Sequence, residues 1–186
     1  RSTLFPYTTL FRSPYSAPFP CPIIAAMPRR PDVTVAAIAE KDGRFLLVEE
    51  RIKNRLVLNQ PAGHVEPNET LLEAVIREAR EETAWRFAPR ALLGAYLWRN
   101  ARSPRETLRF AFIGEVSGHD HTQPLDRGIV CTRWLTRDEL AEREPCLRSP
   151  MVLRCIDGYL AGIRQPLELA ASLDLKTALG AAAKVV

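Results

Sequence analysis

Three carboxylates lie close together in the segment from residue 63 to residue 85, GHVEPNETLLEAVIREAREETAW. A helix turns by about 100° per residue, so Glu78, Glu81 and Glu82 would occupy an arc of only about 100° on its surface. Like charges at these spacings repel one another, and each pair destabilises a helix by roughly 0.2–0.5 kcal/mol. A hard cation such as Mg²⁺ would convert the repulsion into coordination, because it prefers oxygen ligands and also binds phosphates. The cluster therefore predicts either a metal site or a solvated acidic helix face.

The same segment predicts a helix that holds its carboxylates beside a core. Thr70 and Glu73 have the spacing of a capping box, so the helix should begin after Thr70 and continue to about Thr83. Five apolar residues recur at helical spacing on one side. They are Leu71, Leu72, Val75, Ile76 and Ala79.

The segment resembles the signature of the Nudix hydrolases, which reads Gly, five residues, Glu, seven residues, Arg-Glu, apolar, any, Glu-Glu, any, Gly, apolar. The matching positions are Gly63, Glu69, Arg77, Glu78, Ala79, Glu81, Glu82 and Trp85. Ala84 stands where the pattern has Gly, at the expected end of the helix. Gly there would relieve a left-handed backbone, so Ala either costs about 1 kcal/mol or lets the helix continue slightly.

Further segments resemble a bacterial phosphatase subgroup of the Nudix family over roughly residues 31–168. They are residues 32–37, 59–64, 108–110, 133–134 and 147–150. The resemblance implies an α/β/α sandwich and a Mg²⁺-dependent phosphatase, with Mn²⁺ able to substitute. The implied activity removes the terminal phosphate of thiamine diphosphate, of hydroxymethylpyrimidine diphosphate, and of nucleoside di- and triphosphates.

The resemblance also implies roles for individual residues. Glu78, Glu81 and Glu82 would bind the metal ions together with the carbonyl of Gly63, and Arg77 would orient a carboxylate through bidentate hydrogen bonds. The candidate catalytic residues are Glu78, Arg77 and Glu81. Two other functions stay open: a Nudix hydrolase that cleaves nucleoside triphosphates internally and releases diphosphate, and a catalytically silent nucleotide-sensing domain. The intact carboxylate set argues against the silent domain, which would have little reason to keep a repulsive cluster.

The general base has two candidates, Glu78 first and Glu106 of a predicted loop second. Glu69 precedes the regular helix, and we expect it to form a cap or a salt bridge. His64 either faces a phosphate or has a structural role in its loop. His119 and His121 flank Asp120, and with no further ligand evident nearby they indicate an exposed turn rather than a transition-metal site.

Four residues are candidate substrate contacts. Arg109 alternates with apolar neighbours in a predicted strand and could hold a phosphate. Gln60 could hydrogen-bond a base or a pyrimidine. Trp98 and Trp134 could stack on a ring, although tryptophans in strands are often core residues.

The order of predicted elements indicates an α+β domain with a mixed β-sheet. Strands are predicted at residues 33–39, 44–50, 56–58, 92–99, 108–116 and 129–135, with a loop beginning at Gly63. A turn containing residues 41–43 joins the first two strands, and short helices are predicted to follow Thr136 and Ser149.

The formal net charge is +4 over 186 residues, and it comes from dispersed arginines rather than a basic block. This pattern argues against nucleic-acid binding. The sequence offers no run of about 18 apolar residues that could cross a bilayer. Outside the first residues the cysteines are odd in number and lack a C-x-x-C pairing, which predicts reduced thiols. We expect a cytoplasmic monomer whose partner is a small phosphorylated molecule.

The two ends of the chain are unlike the rest. Residues 3–13, TLFPYTTLFRS, resemble the translation of a sequencing-library adapter, and a coding error before a start at Met27 would explain them. Arg12 and several prolines interrupt any signal-like apolar run. We expect residues 1–26 to be a non-native or disordered leader, residues 27–175 to form the Nudix domain, and residues 176–186 to be a frayed tail.

Overall fold

The computed structural model describes residues 30–99 and 105–171, and the predicted leader and tail lie outside these ranges. The strands are β1 (Asp32–Ile38), β2 (Glu40–Lys41), β3 (Arg44–Ile52), β4 (Arg55–Asn59), β5 (Ala62–His64), β6 (Arg86–Arg99), β7 (Glu106–Ser117) and β8 (Ile129–Leu135). The helices are α1 (Leu71–Thr83), α2 (Arg137–Ala141) and α3 (Met151–Leu160). Short 3₁₀ helices span Glu144–Cys146 and Leu167–Ala170. None of the helices in these ranges is long and apolar enough to cross a membrane.

The described strands form two sheets that meet beside α1. The first sheet has the order β5-β1-β7-β6, with β1 and β7 parallel and the other neighbours antiparallel. In the second sheet β3 is central and pairs antiparallel with β2, β4 and β8. The predicted α+β class with a mixed sheet is confirmed.

Helices cover both faces of the first sheet. Because side chains alternate along a strand, Val35 and Ala37 of β1 pack with α1, whereas Ile38 packs in a second cluster with Val152 and Ile156 of α3. The resulting three layers are α1, the sheet and α3. This is the α/β/α arrangement that the sequence resemblance implies.

Two predicted boundaries are wrong. Residues 62–64 form the short strand β5, which pairs with β1, where a loop was expected from Gly63. Strand β6 begins at Arg86, six residues before the expected start at Leu92. Arg86, Pro89 and Arg90 suggest a loop locally, but this stretch still pairs with β7, and the register shifts around Pro89 absorb the irregularity.

Ala84, which directly follows the last residue of α1, was expected either to strain a left-handed backbone or to let the helix continue. Its backbone is left-handed, with φ of 59°, and its N–H donates to the carbonyl of Arg80 at 2.8 Å. The helix therefore ends where the signature would place glycine, and alanine occupies a conformation that a Cβ disfavours.

We expect Ala84→Gly to raise the free energy of unfolding by about 1 kcal/mol, because glycine removes the steric penalty of the left-handed backbone. Urea unfolding measures the change. Ala79→Gly is the contrasting substitution within the same helix, and it should lower stability by at least about 1 kcal/mol, because glycine is a poor helix former and a core methyl group is lost. Equal or lower stability of Ala84→Gly would contradict the account of this cap.

Candidate active site

Helix α1 is fixed at its start by the predicted capping box. The Glu73 N–H donates to the Thr70 hydroxyl at 3.2 Å, and the Thr70 N–H donates to the Glu73 carboxylate at 2.8 Å. The helix spans Leu71–Thr83 as predicted, and it buries Ala74, Val75 and Ala79 against the first sheet. This packing determines which way the neighbouring carboxylates face.

Arg77 joins the acidic residues of the signature into one network. Its Nε and Nη2 donate to the two carboxylate oxygens of Glu69 at 2.8 and 2.9 Å, and Nη1 donates to Glu78 at 2.8 Å and to Glu81 at 3.1 Å. Nη2 also donates to the carbonyl of His64 at 3.0 Å. The bidentate bond thus goes to Glu69, while the helix carboxylates receive one bond each. These contacts lower the pKa of Glu69 and raise that of Arg77, which therefore stays charged.

Strand β5 and α1 approach each other closely at two carboxylates. A Cβ added to Gly63 would lie 2.1 Å from the carboxylate carbon of Glu78, so any side chain there would displace Glu78. The neighbouring Ala62 N–H donates to Glu82 Oε2 at 2.8 Å. Glycine at position 63 therefore lets the Glu78 carboxylate keep its present position against β5.

Burial dominates the electrostatics of these carboxyls. Glu82 is 8 % exposed, and desolvation raises its pKa to about 8, with smaller contributions from the nearby charges of Glu78, Glu50 and Asp126. Desolvation also raises the pKa of Glu78, although Arg77 opposes the shift. The site thus holds carboxyls whose ionised forms are destabilised, and a bound cation would relieve that cost.

Sequence reasoning missed Glu50 and Asp126, which lie far along the chain from α1. Glu50 is in β3, and its pKa is raised by burial. The Asp126 N–H donates to the carbonyl of Glu81 at 2.9 Å, which brings that loop to α1. An acid inside the apolar run of β3 was the available signal for Glu50. Asp126 follows Leu125 in a polar loop and carries no comparable signal.

The donor set fits a hard divalent cation in its chemistry, because it combines carboxylate oxygens with a backbone carbonyl. Glu78 Oε1 is held by Arg77 and Glu82 Oε2 by Ala62, which leaves the second oxygen of each for a metal. As the side chains stand, no three His, Cys, Asp or Glu residues in ranges 30–99 and 105–171 are grouped to hold an ion. Coordination therefore requires these side chains to turn toward a common point.

A cavity of about 440 Å³ adjoins the carboxylates across β5. Its walls come from both sheets and from the start of α3. Of the predicted site residues, Gly63, Trp98 and Arg109 line it, and so does His64. Glu50 also lines it, so the cavity and the acidic cluster share a wall.

Gln60 and Trp134 are not placed to contact a ligand in this cavity. Gln60 is enclosed behind Arg109: its Nε2 donates to the Val152 carbonyl at 2.8 Å, and its Oε1 is 3.5 Å from Arg109 Nη1. Trp134 packs edge-to-face on Trp85, with ring centroids 6.4 Å apart, beside the core under α1. The sequence predicted that both residues could contact substrate. The structure differs because sequence spacing does not show which side of a strand another element covers.

The remaining candidates occupy peripheral positions. Glu106 is the first residue of β7 rather than a loop residue, and its carboxylate lies 2.5 Å from Arg99 Nε. The Nδ1 atoms of His119 and His121 are 3.1 Å apart, and the His119 ring contacts Trp85. No third metal ligand joins this pair in the described part of the chain.

Comparison with known proteins decides the family. A protein-family model, that of the NUDIX domain, matches residues 28–153. The chain belongs to the Nudix family. Phosphatase NudJ of Escherichia coli K12 is 42 % identical over 142 residues, which cover 75 % of this chain and 90 % of NudJ, and the same holds for NudJ of Shigella flexneri.

Solved structures agree with this assignment. A NUDIX hydrolase from Nitrosomonas europaea is 43 % identical, with a TM-score of 0.76 over 78 % of this chain and 99 % of that one. A MutT NUDIX hydrolase from Burkholderia pseudomallei, 21 % identical with a TM-score of 0.60 over 70 % of this chain and 98 % of that one, shares the fold. This Nudix chain is therefore a hydrolase of phosphorus-containing anhydrides in small phosphorylated substrates, and enzymes of this family generally use divalent metal ions.

Proposed function

We propose that this chain is a Mg²⁺-dependent phosphatase that removes the terminal phosphate from thiamine diphosphate, hydroxymethylpyrimidine diphosphate and nucleoside di- and triphosphates, with Mn²⁺ able to replace Mg²⁺. The observation that carries the proposal is the position of two carboxylates, half-buried Glu78 and buried Glu82, beside a cavity that contains the buried guanidinium of Arg109. Similarity to the phosphatase NudJ supports cleavage at the terminal phosphate.

The proposed roles follow from the contacts. Glu78, Glu81 and Glu82, with the Gly63 carbonyl, would hold the divalent ions. Such ions neutralise phosphoryl charge and make water a better nucleophile. Arg77 keeps Glu78 and Glu81 oriented through single hydrogen bonds and is itself fixed by Glu69.

Glu78 remains the first candidate for general base. Its pKa is raised by burial toward the range in which a base works well near neutral pH. Glu106 is less suited to that role, because it pairs with Arg99 at the end of a hairpin. Arg109 and Trp98 are the proposed substrate contacts in the cavity, Arg109 for a phosphate and Trp98 for a ring.

The proposal includes a cytoplasmic monomer that acts without nucleic acid or membrane. The proposed substrate contacts Trp98 and Arg109 line one cavity with Gly63, so this part of the site needs no residue from a second copy of the chain. Size-exclusion chromatography with light scattering at micromolar concentration would test the oligomeric state.

Hydrolysis in ¹⁸O-labelled water tests the position of cleavage. We expect thiamine diphosphate to give thiamine monophosphate, and a nucleoside triphosphate to give the diphosphate, with the label in released orthophosphate. Mass spectrometry of the products provides the readout, and Glu82→Gln from the same preparation controls for contaminating phosphatases. Label in a nucleoside monophosphate, with diphosphate released, would replace the proposal by internal cleavage. Nucleotide binding without any hydrolysis would favour the silent domain.

A further inference from the structure

The cavity contains an unusual concentration of unpartnered polar atoms. Among the described residues, four buried side-chain atoms lack a hydrogen-bond partner in the protein: Thr34 Oγ1, Glu50 Oε1, Arg109 Nε and Ser149 Oγ. All four residues line this one cavity. Buried polar atoms are normally satisfied, and leaving one unsatisfied costs roughly 1–3 kcal/mol. Their grouping therefore indicates a site built for a polar ligand.

The charges of the cavity indicate that the ligand is an anion. Glu50 is 3.6 Å from Arg148, and Asp32 is 4.0 Å from Arg105, so both lining acids have a basic partner. Arg109 is only 5 % exposed, and within the described ranges it bonds only the neutral side chains of Asn59 and Gln60, at 3.4 and 3.5 Å. In the described ranges no carboxylate lies within 4 Å of this guanidinium, and the charges of Glu50 and Glu82 act on it only from farther away. Its burial is therefore costly, and an anionic ligand would offset that cost.

Two hydroxyls stand beside this guanidinium. Thr34 and Arg109 are register partners on the parallel strands β1 and β7, so their side chains lie next to each other on one face of the sheet. Ser149 lies directly before the first turn of α3 and does not cap that helix with its side chain. Thr34 is 7 % exposed and Ser149 is 6 % exposed, so both hydroxyls belong to the enclosed part of the cavity.

The start of α3 adds a fourth favourable element. Met151, the first residue of this helix, lines the same cavity. Pro150 has no N–H and the Val152 N–H donates to the Ser149 carbonyl at 3.2 Å, so this end contributes chiefly through the helix dipole, which places partial positive charge there. A phosphate is bound well by such an end when an arginine and hydroxyls stand beside it.

We propose that Arg109, Thr34, Ser149 and the N-terminal turn of α3 form a metal-independent subsite for the phosphate group next to the one that is attacked. The inference rests on the proposed function and adds the residues that hold the phosphate next to the one attacked. One phosphate would lie at the carboxylates of α1 and the other in this subsite. A monophosphate could fill only one of the two positions.

Binding of inorganic phosphate to the metal-free full-length protein tests the subsite directly. With EDTA present, titration calorimetry should detect phosphate binding to the wild type. The double variant Thr34→Val/Ser149→Ala should bind at least about tenfold more weakly, because each lost hydrogen bond should weaken binding roughly fivefold. Ser149→Ala alone, which leaves the sheet unchanged, should weaken binding by roughly fivefold and covers the case in which the double variant fails to fold. Ser117→Ala, an exposed position at the end of β7, is the matched control and should bind like the wild type.

Kinetics with Mg²⁺ give an independent readout. Binding of a phosphate that is not attacked should be equal in the ground and transition states, so Ser149→Ala should raise KM for diphosphates with little change in kcat. A fall in kcat at unchanged KM would overturn the inference, as would wild-type protein that binds no phosphate in EDTA. Unphosphorylated thiamine or a nucleoside should also be titrated in EDTA. If Ser149→Ala weakens their binding as strongly as it weakens the binding of phosphate, the inference is overturned, because the subsite would then hold the organic group.

The two proposals can fail separately. An enzyme that binds phosphate in EDTA as expected but releases diphosphate from nucleoside triphosphates would contradict the proposed function and leave the subsite in place. If the enzyme releases orthophosphate but its variants bind phosphate like the wild type, the proposed function stands and the subsite is contradicted.

Discussion

Glu78→Gln and Glu82→Gln should each lower turnover at least about 100-fold at saturating Mg²⁺. Each substitution removes a negative charge from the proposed metal site, and an interaction worth about 2.7 kcal/mol in the transition state corresponds to a factor of 100. The fold should survive, because a glutamine oxygen can still accept the hydrogen bonds from Arg77 and from the Ala62 N–H. Steady-state release of orthophosphate from thiamine diphosphate, with circular dichroism of each variant, measures both effects.

Glu66→Gln is the matched control, since Glu66 is an exposed acid in the loop before α1. It should retain turnover close to that of the wild type. Near-normal turnover in both site variants would exclude these carboxylates as ligands of the catalytic metal. Partial loss that added Mg²⁺ restores would instead show weakened metal affinity at an otherwise intact site.

The metal-free protein should lose stability as pH rises from about 5 to about 8. The pKa of Glu82 is about 8 in the folded protein, compared with an ordinary value of 4.5. Between these values the folded state retains a proton that the unfolded chain releases, so increasing pH favours unfolding. The shift corresponds to a loss of at most about 4 kcal/mol, an upper value because neighbouring carboxyls titrate together with Glu82.

Glu82→Gln should remove most of this pH dependence, because the amide mimics the protonated carboxyl. At pH 8 in EDTA we therefore expect the variant to be more stable than the wild type by several kcal/mol, and at pH 5 to be about equally stable. Urea unfolding at both pH values gives the comparison. Mg²⁺ should stabilise the wild type at pH 8 more than it stabilises the variant, since the variant keeps one carboxylate fewer with which to bind the ion. Parallel pH dependences of the two proteins would contradict this account of Glu82.

Local sequence signals predicted α1 well because its determinants are all local. The capping box at Thr70, the apolar side and the turn after Thr83 lie within one short segment, and the structure reproduces them except for Ile76, which was expected on the apolar side and is exposed. Strand β8 was predicted with its observed bounds for a similar reason, since a run of residues that favour strands ends at a capping box. Strand β5 was missed because three residues containing glycine have little strand propensity, and only its pairing with β1 makes it a strand.

The substrate side of the site was predictable only in part. Strand alternation correctly separated Arg109 from its apolar neighbours, but its enclosure depends on α3 and on Gln60 behind it. Thr34 and Ser149 carried no signal, because a lone threonine in a strand and a serine before a helix are common in any protein. Their significance appears only when β1 and α3 bring two unpartnered hydroxyls to the same cavity.

The close approach of β5 to α1 has an evolutionary consequence. All proposed metal-binding groups come from residues 63–82, one contiguous segment whose loop closes at small entropic cost. Trp98, the proposed contact to the organic group, lies outside this segment and lines the cavity. Substitutions around Trp98 could therefore change which molecule is accepted without touching the segment that is proposed to perform hydrolysis. The residues proposed to bind the metal and those proposed to contact the organic group thus lie in different parts of the chain. A relative could acquire a new substrate while keeping residues 63–82 intact.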